Sequence, residues 1–308
     1  MALYAFDGTG NEVHDVPGKN SNVHKLRKVY EKNYQPVGRS ECIYQEGVGT
    51  RWSFLGMFFG SIFGAGGGKR LKRAHKQCEK NFDHGDEVID IIGFSRGAAL
   101  AIEFANMVRD KGISGNKDVP IRFLGIWDTV ASFGFPGNNI NLGHKLSLPT
   151  KVDHCYHALA LDERRRMFPL TRVTKNASQA RDQHNVHELW FRGYHSDVGG
   201  GNQNMPRSNI ALNWMLHRAR DHGLPITDAD IDAVEFDIHA PCRKPKMDRV
   251  ENDVRQVHQT DLIHESVMWT EMADTFSANN PPENILIVGN DGDILAGGFQ
   301  HSNDQQIA

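Results

Sequence analysis

The sequence has little cysteine. Its four, Cys42, Cys78, Cys155 and Cys242, are scattered over 308 residues with no C-x-x-C pair. That spacing excludes a disulfide framework and a zinc ribbon, and it suits a chain made in a reducing cytosol. An excess of positive charge is also missing. The formal net charge is -3, whereas a nucleic-acid binder is normally basic, so no nucleic acid is expected as a partner. The start, MALYAFDGTG, enters an expected strand without a basic n-region or a cleavable apolar h-region, so no secretory signal is expected. Trp52 to Ala65, WSFLGMFFGSIFGA, is apolar but too short and too rich in glycine to span a bilayer. From these absences the chain is expected to be cytoplasmic as synthesised. With no repeat, low-complexity tract or clear linker, residues 1–308 are expected to form one domain.

Hydrophobic residues make up 39% and charged residues 24%, enough for a sizeable core. Short apolar runs alternate with helical patterns, which predicts an α/β fold with a mostly parallel sheet covered by helices. Strands are expected at 3–6, 42–44, 88–94, 121–127 and 187–194. The runs VIDIIGF and IRFLGIW are nearly continuous in apolar character, as strands buried on both faces are. Helices are expected at 21–33, at 69–82, at 96–111 ending on Gly112, and at 209–222 with Ser208 as the cap. The tail suggests a hairpin, NILIV and ILAGG, joined through residues 290–293.

Gly93-Phe94-Ser95-Arg96-Gly97 fits G-x-S-x-G between a buried strand and a helix. A nucleophilic serine needs a strained strand-to-helix turn that pushes its hydroxyl out of the sheet, and the flanking glycines let that turn close. The helix beginning at Arg96 offers backbone N–H groups and a positive dipole end to a developing oxyanion. In this fold the nucleophile is followed in the chain by an acid and then a histidine, both at strand ends. Asp128 and His195 each follow an apolar run directly, so the strand pattern delivers them to the same edge as Ser95. A glycine-rich stretch, residues 196–201, follows His195, as a mobile catalytic loop would be built. His264 is the reserve candidate for the base. The predicted chemistry is ester cleavage with Ser95 as nucleophile, His195 as base and Asp128 orienting the histidine.

FDGTGN (6–11), GVGT (47–50), GFSRGA (93–98), GIWDTV (125–130), HALALDERR (157–165) and HSDVGGG (195–201) stand in one order. Together they resemble a family of bacterial α/β-hydrolase domains that includes the type VI secretion lipase effectors, family 1. The resemblance covers about residues 3–225, leaving 226–308 as a C-terminal extension of the same domain. It implies a three-layer α/β-hydrolase fold and an esterase or phospholipase A activity through an acyl-enzyme, with no cofactor. It implies that Asp7, Gly8 and Thr9 line the site beside Ser95 with Arg96. Asp162, Glu163 and Arg164 read as an ion-paired helix end rather than catalytic groups. A phospholipid or other ester substrate, export by a signal-independent secretion system, and a secretion-apparatus or immunity protein as partner are further implications.

Trp52, Phe54, Phe58, Phe59 and Phe63 lie in the uncharged insert that precedes the basic run Lys69-Arg70-Leu71-Lys72-Arg73. Apolar residues beside cations suit a lid that contacts an anionic lipid surface, and a peripheral membrane contact is expected from it. Core packing or a protein interface would account for the same residues. Asp7-Gly8-Thr9 lacks the second aspartate of a phosphatase loop. His154, Cys155 and His157, or His184 and His187, do not make a four-ligand zinc set, and no H-E-x-x-H occurs. Residues 291–293 are too few for a calcium loop, so no metal is expected. Two alternatives remain open: an esterase or thioesterase acting on a small soluble substrate, and a hydrolase-like fold used only for binding.

Overall fold

The computed structural model describes residues 1–47, 67–131, 147–149, 151–174, 185–235, 238, 253–269 and 279–295. Eight strands form one sheet: β1 (Ala2–Phe6), β2 (Ile43–Gln45), β3 (Ile89–Phe94), β4 (Ile121–Trp127), β5 (Val152–Ala160), β6 (Val186–Phe191), β7 (Leu262–His264) and β8 (Leu286–Val288). Their spatial order is β2-β1-β3-β4-β5-β6-β7-β8, and every neighbouring pair is parallel. Parallel strands need crossovers, and among the described residues α-helices lie in those from β1 to β2, β2 to β3, β3 to β4 and β6 to β7. The helices are α1 (Asn22–Asn33), α2 (Gly67–Asp83), α3 (Arg96–Lys111), α4 (His195–Gly199), α5 (Met205–Asp221) and α6 (Asp228–Glu235).

Alternation along the strands builds two cores. Leu3 and Ala5 of β1 face a layer containing Val23 and Leu26 of α1 and Ile210 and Leu212 of α5. Ala2, Tyr4 and Phe6 face the other side, against Leu71 and Cys78 of α2 and Ala98, Ala101 and Phe104 of α3. The result is the three-layer α/β-hydrolase arrangement. Each fully buried leucine of these layers, such as Leu26, contributes about 1.5–3 kcal/mol through apolar surface removed from water. Ser21 caps α1 by accepting the His24 N–H.

Several sequence expectations are corrected. β5 was not among the expected strands, because Asp153, His154 and His157 interrupt its apolar pattern. It nevertheless sits between β4 and β6, and its His157 is fully buried by pairing with Glu188 at 3.0 Å. The strand expected at 187–194 ends at Phe191, and the glycine-rich stretch opens with a one-turn helix whose first residue is His195. α5 begins at Met205, not 209; Asn204 stands at its cap position and Pro206 in its first turn, so Ser208 is an internal residue. The second arm of the expected tail hairpin is described only at Ile294 and Leu295, residues 296–298 lying outside the described residues. The first arm, β8, pairs in parallel with β7, and the described start of the return meets β8 through the Val288–Ile294 bridge and a Leu295 N–H to Ile287 O bond of 2.9 Å. Residues 162–165 form an irregular segment after β5 rather than a helix end. No helix among the described residues is long and apolar enough to cross a membrane.

Candidate active site

Ser95 sits between β3 and α3 with φ 57 and ψ -124, a left-handed geometry that a non-glycine residue adopts only when its surroundings enforce it. Those surroundings are visible. The Ser95 N–H donates to Trp127 O at 3.0 Å, and Ser95 O accepts from Val130 N–H at 3.2 Å. The flanking glycines are sterically required. A β-carbon on Gly97 would stand 2.2 Å from Phe6 O, and one on Gly93 would stand 2.7 Å from Gly97 O. The loop after β1 closes the other side, since a β-carbon on Gly8 would stand 3.2 Å from that of Ser95.

Asp128 directly follows β4 with φ 39 and is completely buried. His195 Nδ1 donates to Asp128 Oδ2 at 2.5 Å, and the Ala160 N–H donates to Asp128 Oδ1 at 2.9 Å. Burial alone would push this carboxyl up, but the Arg255 guanidinium and the His195 N–H hold it well below the usual carboxylate range. An ionised carboxylate only accepts hydrogen bonds, so His195 carries its proton on Nδ1 and leaves Nε2 as the basic nitrogen. The imidazole packs against two rings, Phe94 and Phe168, each with its centroid 4.6 Å away. The His195 backbone N–H donates to Glu163 Oε2 at 3.1 Å. Glu163 also pairs with Arg165 at 2.7 Å, and the Arg165 guanidinium lies 4.1 Å from the Phe168 ring. Ser95, Asp128 and His195 thus follow β3, β4 and β6 at the carboxyl edge of the sheet.

Residues 3–118 and 114–218 match the family described as T6SS, phospholipase effector Tle1-like, catalytic domain. The chain belongs to this family. An uncharacterized protein from Pseudomonas aeruginosa, seen in a crystal structure, is 21% identical with a TM-score of 0.53; the alignment covers 77% of this chain and 48% of that one. The chain therefore spans about half the length of that protein, and the likeness shows a shared fold. A Pyrobaculum calidifontis esterase is 14% identical with a TM-score of 0.42, covering 72% of this chain and 76% of that one. No curated protein matches.

For this Tle1-like domain the remaining site expectations divide. Asp7 is buried and serves the loop: its carboxylate accepts from the Gly8 N–H at 2.7 Å, Asn11 at 3.1 Å, Ser21 at 2.5 Å and Tyr44 at 2.7 Å. The Gly8 N–H is thereby engaged, and Thr9 is the next residue of the turn. Burial pulls the Arg96 guanidinium down to about 10. Asp162 accepts from Arg192 at 2.9 Å and from the Gly193 N–H at 2.7 Å. His264 lies within β7 rather than with Asp128. Its Nδ1 meets Ser266 Oγ at 3.0 Å, its Nε2 meets Asn290 Oδ1 at 2.9 Å, and burial drops it to about 4. Among the described residues no cluster of His, Cys, Asp and Glu is arranged to hold a metal; His154 stacks on His222 with centroids 3.5 Å apart. Trp52, Phe54, Phe58, Phe59, Phe63 and His184 lie outside the described residues. Sequence reasoning missed Arg255 and Phe168, because neither belongs to a local motif, and it read Glu163, within HALALDERR, as an ion-paired residue without seeing that it accepts the His195 backbone N–H.

Proposed function

We propose that this domain is a serine ester hydrolase of the phospholipase A type, with Ser95, His195 and Asp128 as its triad. The observation that supports this best is the 2.5 Å His195–Asp128 bond at the sheet edge that carries the strained Ser95 turn. In the reaction, Ser95 Oγ attacks the acyl carbonyl while His195 Nε2 takes its proton. The resulting imidazolium is stabilised by Asp128. The N–H of Arg96, at the start of α3, and the N–H of Thr9 donate to the oxyanion. Collapse of the tetrahedral adduct expels the alcohol, protonated by His195, and leaves an acyl-Ser95. Water activated by the same histidine then releases the acid.

Lipid as substrate, a partner immunity or secretion-apparatus protein, and export by the type VI machinery follow from the family rather than from any contact in this chain. The uncharged run with Trp52, Phe54, Phe58, Phe59 and Phe63 is proposed as the lipid-contacting segment, supported by its composition and by the cations that follow it. Residues 1–308 are proposed as one catalytic unit. A labelled fluorophosphonate should react with the intact protein and not with Ser95→Ala. Labelling of the alanine variant, or none of the wild type, would reject the serine mechanism. Free fatty acid and lysolipid released from a phospholipid panel then distinguish a phospholipase from an esterase of small substrates. Phe58→Ser with Phe59→Ser should weaken binding to anionic liposomes while sparing a short soluble ester; equal liposome binding by a stable variant would reject the lipid contact.

A further inference from the structure

The family match ends at residue 218, yet a residue well beyond it reaches the site. Arg255 is almost fully buried, with 7% of its side chain exposed. Its Nη1 donates to Asp128 Oδ1 at 2.5 Å and its Nη2 to Asp128 Oδ2 at 3.0 Å. The same two nitrogens donate to Ala160 O at 2.6 Å and Phe168 O at 3.0 Å. Asn279 anchors the backbone, donating to Arg255 O at 2.7 Å. A planar fork of this kind fixes the plane of a carboxylate as well as its charge. The arginine also ties the Phe168 turn, whose ring packs on His195, to the acid that holds the same histidine.

We propose that Arg255 is a positioning residue of the triad, fixing Asp128 against His195 and offsetting its charge so that catalysis persists further into acid. This rests on the triad reading given above. An Asp128 without Arg255 would set a full negative charge against the imidazole and favour its protonated, inactive form; with Arg255 the imidazole faces a nearly neutral pair. The other charged groups around His195 are the Glu163–Arg165 pair beneath its N–H, Asp197 in its own helix, and Arg96 next to Ser95. None of these touches the Asp128 carboxylate as Arg255 does.

The test is kcat/KM against pH on a short soluble ester, using the full chain as wild type, Arg255→Met, Arg255→Lys and Ser95→Ala. Arg255→Met should move the acid limb up by about one pH unit, the effect expected of a lost unit charge near the imidazole, and lower kcat about tenfold or more. Arg255→Lys keeps the charge and loses the fork, so kcat should fall while KM and the acid limb stay in place. A folded Arg255→Met with an unmoved acid limb would overturn the proposal, leaving Arg255 a structural tie. If Arg255→Met does not fold, Arg255→Lys decides, and a kcat within about twofold of wild type overturns the proposal. Turnover surviving in Ser95→Ala would overturn the triad reading and this role with it. An inactive Ser95→Ala beside an unmoved limb counts against Arg255 alone.

Discussion

Gly199 lies so close beneath Phe94 that a β-carbon there would stand 2.0 Å from the ring, and that ring is one of the two that pack on His195. The missing side chain at the end of α4 therefore leaves room for the Phe94 ring that packs on the imidazole. Gly199→Ala should displace the ring or the helix. The expected cost is about 1–3 kcal/mol of stability, typical of overpacking, and a fall in kcat on a soluble ester. A thermal melt and an initial-rate assay on one preparation check it, and a variant with wild-type kcat would show that His195 does not depend on this packing.

Ser95 holds its φ of 57 against its own preference, a cost of about 1–3 kcal/mol that glycine would largely avoid. Ser95→Gly should be more stable than wild type in denaturant and inactive. Loss of stability would mean that the hydroxyl contributes more to the fold than the turn costs.

Asp128→Asn removes the charge from a completely buried site and leaves Arg255 without its anion. Turnover should fall by about 10⁴-fold, as the histidine loses its orienting acid. Stability should fall by about 3–5 kcal/mol, since the buried guanidinium is left unpaired. Equilibrium unfolding and kcat measure the two effects separately, and a variant with full stability would indicate that water or another acceptor compensates Arg255.

His264 is buried and lowered from 6.5 to about 4, with burial as the cause. Between those values the unfolded chain binds a proton that the native state excludes. Stability should therefore be complete above about pH 6.5 and decline on the order of 3 kcal/mol as the pH falls to about 4. Glu188 acts lower down. Burial would raise it, but His157, Arg172 and Thr174 hold it at about 2, below its ordinary 4.5, so its contribution is lost as the pH falls from about 4.5 to 2. His264→Asn should flatten the dependence of unfolding free energy on pH between 6.5 and 4, and leave ester hydrolysis nearly unchanged. An unflattened slope would assign acid sensitivity elsewhere, and loss of hydrolysis in a folded variant would bring His264 back as a candidate base.

Features that depend on near neighbours were legible in the sequence. The apolar runs of β3 and β4 announce strands buried on both faces. Gly93 and Gly97 stand where the turn at Ser95 has no room for a β-carbon. Gly112, with φ 74, ends α3 where the pattern expected it. Each is a matter of backbone sterics or periodicity within a few residues, which composition and spacing record directly. β5 escaped that reading because its polar positions make sense only once Glu188 of β6 lies beside His157.

The sequence by itself therefore determined the α/β alternation, the serine turn, and the delivery of Asp128 to a strand end, while His195 stands at the start of α4, past the end of β6. Only the tertiary structure decided what meets at that edge. Arg255 reaches Asp128 from 127 residues away, Phe168 and Phe94 enclose His195 from different elements, and Glu163 accepts the His195 backbone N–H from the irregular segment after β5. These contacts depend on the order of the strands in space, and neutralising a charge buried at 0% exposure, as at Asp128, requires whichever cation the folded chain brings there.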